Sequence, residues 1–339
     1  MRTLRIFRRP GIALTCVGAT ALLASALVAC GGDDEAVTPS ATTSATVAPS
    51  AAATTAAAVA AYPVKVTDLL GRTVEIKAKP KTIVAISPTA VEYVYALGST
   101  VVGRSQSADF PEAAKAVKDV GTAYQPSMEA ILALKPDLIV ADSVIHAQPQ
   151  LRGPLEQLGV PVIFAGAESY QQVIDGITLM GKILDANDLA KGLIAAIGKA
   201  RDDAKTAVAK TKVSAVVLIA SRDQTLYSAK ASGYVGDILT QIGVTNPAAS
   251  LPDAGPFPGY STLAPEKLIE FNPDIIFTIT PGPKEVPRLS ALIPGIPPFK
   301  GLKAVTGAKV VELDVELFLQ APGPRIADAF KAVAAAAAK

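Results

Sequence analysis

Glu129-Ala-Ile-Leu-Ala-Leu-Lys-Pro-Asp-Leu-Ile-Val140 and Glu266-Lys-Leu-Ile-Glu-Phe-Asn-Pro-Asp-Ile-Ile-Phe277 align without a gap, 137 residues apart. Each copy reads as a short helix opened by a glutamate, a Pro-Asp turn, and an apolar strand. Proline stops the helix and biases the residue before it toward extended backbone. A βα pattern alone recurs within one Rossmann-like domain. A gapless match that keeps Glu, Pro and Asp in place reads instead as two similar lobes.

Working outward, the same rhythm continues on both sides. Short Val/Ile/Leu runs at 82–87, 100–103, 138–141 and 162–165 predict one set of strands, and runs at 215–220, 275–280 and 310–313 a second. Runs without polar alternation are what a parallel sheet buried on both faces requires, and strands alternating with helices imply α/β layers. Before them, alternating residues around Gly71, from Val64 to Ile76, predict a hairpin.

Between the two sets lies a region without strand signals. Val173, Ile177, Met180, Ile183 and Leu184, then Leu189, Leu193, Ile194 and Ile197, recur at helical spacing. Asp185-Ala-Asn-Asp188 predicts a break there, with Asn187 or Asp188 as N-cap. A helix of about twenty residues spans roughly 30 Å, long enough to bridge two lobes as a strut.

The N-terminus reads as a targeting segment. Arg2, Arg5, Arg8 and Arg9 precede an apolar run ending in Leu27-Val-Ala-Cys30. The run approaches the ~20 residues that span a bilayer, but Gly18, Ala19, Thr20, Ala21 and Ala24 dilute it. Leu-Val-Ala-Cys resembles the lipobox of bacterial lipoproteins, in which the cysteine, here Cys30, is acylated. The next stretch, to about residue 61, is Asp, Thr, Ser, Pro and Ala and cannot bury enough surface to order itself. It reads as a tether.

Composition narrows the function classes. Half of the 339 residues are apolar and 18% charged. Subtracting the four leader arginines from 32 basic residues leaves 28 against 30 acidic, a net of about −2. No basic excess remains for phosphates, which argues against nucleic acid. The two cysteines, Cys16 and Cys30, provide no pair for a disulfide after processing and no Cys-based metal site.

Several segments together resemble the helix-linked (class III) periplasmic substrate-binding proteins of ABC importers, the vitamin B12 and ferric-siderophore family. They are Ile83-Val-Ala-Ile-Ser-Pro-Thr-Ala-Val-Glu92, Tyr93-Val-Tyr-Ala-Leu-Gly98, Tyr124-Gln-Pro-Ser-Met-Glu129 with the repeat that follows, Leu155-Glu-Gln-Leu-Gly-Val-Pro-Val162, and Gly236-Asp-Ile-Leu-Thr-Gln-Ile-Gly243. The resemblance spans residues 62–338. It implies an α/β fold of two Rossmann-like lobes with central parallel sheets, joined by one long α-helix, with the ligand cleft between lobes. The expected organisation is a signal peptide over 1–29, a tether over 30–61, lobes over 62–168 and 211–339, and a helical linker over 169–210.

The implied function is capture of a metal chelate, a ferric siderophore first and a cobalamin second, and delivery to a permease and its ATPase. The protein would be a monomer held at the extracytoplasmic membrane face through Cys30, without catalysis or an intrinsic cofactor. Glu129 and Glu266 match the family's permease-docking glutamates. A glutamate in a helix's first turn also offsets the helix dipole by ~0.3–1 kcal/mol. A chelatase-like enzyme and a non-transport surface lipoprotein are the competing classes, but the sequence carries no Gly-rich phosphate loop, GxSxG elbow or His cluster.

Ligands in α/β sheets settle beyond the carboxyl ends of the strands. That rule makes Ser87, Thr89, Arg104, Tyr124, Gln125, Arg222, Tyr227, Phe257 and Tyr260 the cleft candidates. Arginine forks suit carboxylate and catecholate oxygens, and tyrosines give flat contact area with a polar tip. Ser87 reads equally as a plain N-cap. His146, the single histidine, follows a strand and is expected at the cleft edge. Haem-binding relatives usually place a tyrosine where Thr122 stands, which counts against haem.

Overall fold

A computed structural model describes residues 62–221, 223–282 and 285–338. The leader, the tether, Cys30 and Arg222 lie outside the described residues. Strands β1 (Val64–Thr67) and β2 (Thr73–Ile76) form the expected antiparallel hairpin. Asp68 shapes its turn, accepting from the Leu70 and Arg72 backbone N–H groups at 3.0 Å each.

The first sheet is wholly parallel, in order β5-β4-β3-β6-β7. Its strands are β3 (Ile83–Ala85), β4 (Gly103–Arg104), β5 (Lys118–Asp119), β6 (Leu138–Ala141) and β7 (Val162–Phe164). The second runs β10-β9-β8-β11-β12, from β8 (Ala215–Ala220), β9 (Leu226–Ala229), β10 (Tyr260–Thr262), β11 (Ile275–Ile279) and β12 (Val310–Glu312). Strands β8, β11 and β12 are parallel, whereas β9 is antiparallel to both its neighbours. The central strands are therefore parallel as expected, and only the β9–β10 edge departs, because the chain returns from β8 to β9 directly instead of through a crossover helix.

Ten helices flank the sheets among the described residues. They are α1 (Pro88–Ala96), α2 (Met128–Ala133), α3 (Pro149–Glu156), α4 (Tyr170–Ile183), α5 (Asn187–Val208), α6 (Tyr234–Ile242), α7 (Pro265–Phe271), α8 (Leu289–Leu292), α9 (Lys303–Thr306) and α10 (Ile326–Ala337). The break between α4 and α5 falls where expected, but Ala186 is the N-cap and no side chain caps it. Asp185 turns the chain instead, with φ +52°. The 22 residues of α5 then carry the chain from the first lobe to β8.

The strands divide their side chains between two layers, as burial on both faces demands. In β6, Ile139 and Ala141 face one core while Leu138 and Val140 face another; in β8, Val216 and Leu218 separate likewise from Ala215, Val217 and Ile219. Each lobe thus has a private outer core. The inner faces join one continuous core through α1, α4, α5, α6 and α10. Such a shared core resists large rearrangement of one lobe against the other.

The repeat is conformational as well as sequential. Ile131 and Leu268 are fully buried at equivalent positions, one in each outer core. Lys135 and Asn272, each before the Pro, have φ +49° and +38°. Extended backbone was expected there, but helix termination wins. A left-handed residue lets the chain bond back to the last turn, Lys135 N–H to Leu132 O and Asn272 N–H to Leu268 O. Both copies then use the aspartate to tie the turn: Asp137 accepts from Lys81 and Thr82, and Asp274 from Ser214.

Candidate functional site

The carboxyl ends of both sheets converge on one interlobe crevice that is closed up, with no room for a water-sized sphere. Its first-lobe wall is Pro88 and Glu92 of α1 with Ser107, Asp109 and Phe110 beyond β4; its second-lobe wall is Glu316, Gln320 and Ala321 beyond β12, with Arg325. Arg325 crosses the gap. Its guanidinium donates to Glu92 Oε1 from Nε at 2.9 Å and lies 4.1 Å from the centroid of the Phe110 ring. Glu92 is 3% exposed and its Oε2 has no partner. Burial raises its pKa to about 7, against the lowering pull of Arg325.

Drug-sized ligands occupy roughly 300–1,000 Å³. A bulky chelate is therefore enclosed here only if Arg325 and Phe110 yield, or it sits further out among the exposed aromatics. A roomier groove, about 470 Å³ between α5 and α10, is walled largely by alanines such as Ala200, Ala204 and Ala334. It lies away from the strand ends and lacks the convergent polar groups of a ligand site.

The sequence candidates divide sharply. Tyr124 is 60% exposed beyond β5, and Gln125 beside it is exposed. Partial burial and then the Asp142 carboxylate raise the Tyr124 phenol, placing it within electrostatic reach of the β6 carboxyl end. Tyr227, paired with Ile219 near the end of β8, holds Phe257 edge-on at 5.1 Å. Phe257 keeps 39% of its surface open. Tyr124, Gln125 and Phe257 offer accessible contact surface, while Tyr227 is buried behind Phe257.

The others are enclosed. Ser87 is buried and its Oγ accepts from Ala90 N–H at 3.0 Å, so it serves as the N-cap of α1. Thr89 is fully buried, and its Oγ1 lacks a partner. Arg104 turns back on its own loop, donating to the carbonyls of Ser105 at 2.9 Å and Gln106 at 2.8 Å. Tyr260 sits opposite Ala229 with its hydroxyl enclosed, and burial raises its pKa. His146 is not at the cleft edge: it is fully buried, bonded through Nδ1 to Asp142 O at 2.8 Å and packed 5.6 Å from Phe164. Burial lowers its pKa.

Sequence reasoning missed Glu92, Phe110, Glu316 and Arg325. Phe110 and Arg325 lie in irregular segments whose meeting no periodicity announces, and Glu92 reads as one more residue of an α1 motif. Glu129 and Glu266 occupy the first turns of α2 and α7, both exposed. Neither carboxylate has a hydrogen-bond or ion-pair partner among the described residues; neighbouring Lys267 pairs with Glu270.

The family described as periplasmic binding protein matches residues 83–317. The chain belongs to that family. Among periplasmic binding proteins, it is 27% identical to the ABC transporter substrate-binding lipoprotein YvrC of Bacillus subtilis, over 80% of this chain and 85% of that one. It is 28% identical to the Fe(3+)-citrate-binding protein YfmC of the same organism, over 70% and 75% respectively. The crystal structure of Staphylococcus aureus SirA complexed with staphyloferrin B superposes with a TM-score of 0.66 at 25% identity, covering 80% of this chain and 98% of that one. Both lobes and the joining helix therefore follow a periplasmic binding protein plan.

Proposed function

We propose that this chain is the substrate-binding lipoprotein of an ABC importer. It captures a metal chelate on the extracytoplasmic side of the membrane, a ferric siderophore first and a cobalamin-type corrinoid second, and carries it to a permease without transforming it. The single observation that carries this reading is the pair Glu129 and Glu266: exposed, unpartnered, and at equivalent positions of a duplicated unit. Dipole compensation accounts for one such residue but does not require the match. Names such as YvrC, YfmC and SirA support the transport class and the chelate class.

In this reading Cys30 carries the lipid, residues 30–61 tether a monomeric binding body formed by residues 62–168, 169–210 and 211–339, and the segment 1–29 is removed. Tyr124, Gln125 and Phe257 contact the chelate, with Tyr227 packed behind Phe257. The test has two parts. Thermal-shift titration of the protein with ferric siderophores, corrinoids and haem is expected to give a concentration-dependent rise for one class, because a ligand that binds only the folded state stabilises it. Affinity purification from native membranes is expected to bring down a permease and its ATPase. No shift with any chelate removes the ligand class, and no transporter subunits in the purification remove the importer.

A further inference from the structure

We propose that each lobe's docking element is a carboxylate coupled to an exposed aliphatic side chain one helical turn along: Glu129 with Leu132, and Glu266 with Ile269. The inference rests on the docking role proposed above and adds a specific chemistry for the partner.

Leu132 is 46% exposed and Ile269 42%. Residues three apart share a helix face, so each aliphatic chain lies beside its glutamate. The register is forced by the residue between them, since Ile131 and Leu268 are fully buried in the outer cores. Rotating either helix to hide Leu132 or Ile269 would expose those core residues. Folding therefore gains little from an apolar side chain at these two positions, and a polar residue would serve as well. Yet the apolar choice occurs at the same position in both copies of the repeat, along with the unpartnered acid.

Position in the fold gives the second constraint. A helix that feeds a strand through a tight turn runs antiparallel to it, so the first turns of α2 and α7 lie toward the carboxyl edges of β6 and β11. Strand β6 neighbours β3 in one sheet and β11 neighbours β8 in the other. The two acid-plus-aliphatic elements thus hold equivalent stations, one per lobe, on the edge from which the cleft opens.

The occupant that fits is a protein with two equivalent halves, each offering an Arg or Lys beside an apolar recess. An exposed ion pair alone contributes little in water. An aliphatic side chain that excludes water around it raises the contribution of the charge and adds buried area of its own. The acid then sets orientation and encounter rate, and the aliphatic residue slows dissociation.

The test compares full-length protein variants for binding to the permease–ATPase complex that copurifies with wild type, reconstituted in nanodiscs, across a salt series. Leu132→Ser/Ile269→Ser is expected to weaken binding by at least about tenfold, with the salt dependence retained. Glu129→Gln/Glu266→Gln is expected to weaken binding and flatten the salt dependence. Leu132→Met/Ile269→Leu should restore affinity. Melting temperatures and chelate affinity serve as controls, since all four side chains are exposed. If the Glu variants lose affinity while the Ser variant binds like wild type, the aliphatic role is wrong and the docking reading survives. If wild type does not bind the complex, or the Ser variant changes only self-association by sedimentation velocity, the proposal also falls.

Discussion

Arg325, at the entrance to α10, donates twice to one oxygen of Glu92 in α1, from Nε at 2.9 Å and Nη2 at 2.5 Å. These residues stand 233 apart in the chain and join the two lobes at the base of the cleft. The pair is asymmetric. Glu92 is 3% exposed with Oε2 unpartnered, while the Arg325 side chain keeps 20% of its surface. A charge buried this deeply depends on its single partner.

Removing that partner has a definite consequence. Arg325→Met should cost about 3–5 kcal/mol above pH 8, where Glu92 is ionised, because it leaves a buried carboxylate alone. Denaturant unfolding of the variant measures this. A cost below about 1 kcal/mol would mean that water reaches Glu92 freely.

The pH dependence follows from burial outweighing Arg325. The folded Glu92 pKa is about 7, above the ordinary 4.5. Between those values the folded protein holds a proton that the unfolded chain releases, so this group's contribution to stability falls as pH rises through the window. Asp142, raised by burial to about 6, acts in the same direction. Glu92→Gln should therefore lose less stability than wild type between pH 5 and 8. Equal slopes would contradict the assignment.

Two glycine substitutions separate close approach from empty space. A Cβ at Gly236 in α6 would sit 1.8 Å from Lys230 O, whereas one at Gly192 in α5 meets nothing within 4 Å. Gly236→Ala should destabilise by about 3 kcal/mol or more. Gly192→Ala should stabilise by about 0.5–1 kcal/mol, through helix propensity. Melting curves of the pair test the packing of α6 and α5 together.

These positions also show what a sequence reader can and cannot see. The buried strands were legible because continuous apolar runs satisfy a sheet covered on both faces. The repeat was legible because each copy needs the same helix stop and the same aspartate tie. Strands β9 and β10 were not: Leu226–Ala229 and Tyr260–Thr262 are short and mix polar with apolar residues. The Glu92–Arg325 bridge depends on tertiary folding alone. His146 and Arg104 misled for a related reason, since position after a strand says nothing about which way a side chain turns.

The open aromatics give a ligand prediction. Phe257→Ala and Tyr124→Ala should each weaken chelate binding by roughly tenfold, while Tyr260→Phe should change it less than twofold, because that hydroxyl is enclosed. Titration by intrinsic fluorescence or calorimetry reads the difference. The reverse order would move the ligand away from the cleft mouth.

The most direct measurement is uptake of a radiolabelled chelate by cells lacking the native gene and expressing either wild type or Glu129→Lys/Glu266→Lys. Reversing both charges should abolish uptake while the purified variant binds the chelate within about twofold of wild type, since opposed like charges at an interface cost several kcal/mol. Uptake at the wild-type rate by the double variant would contradict the account.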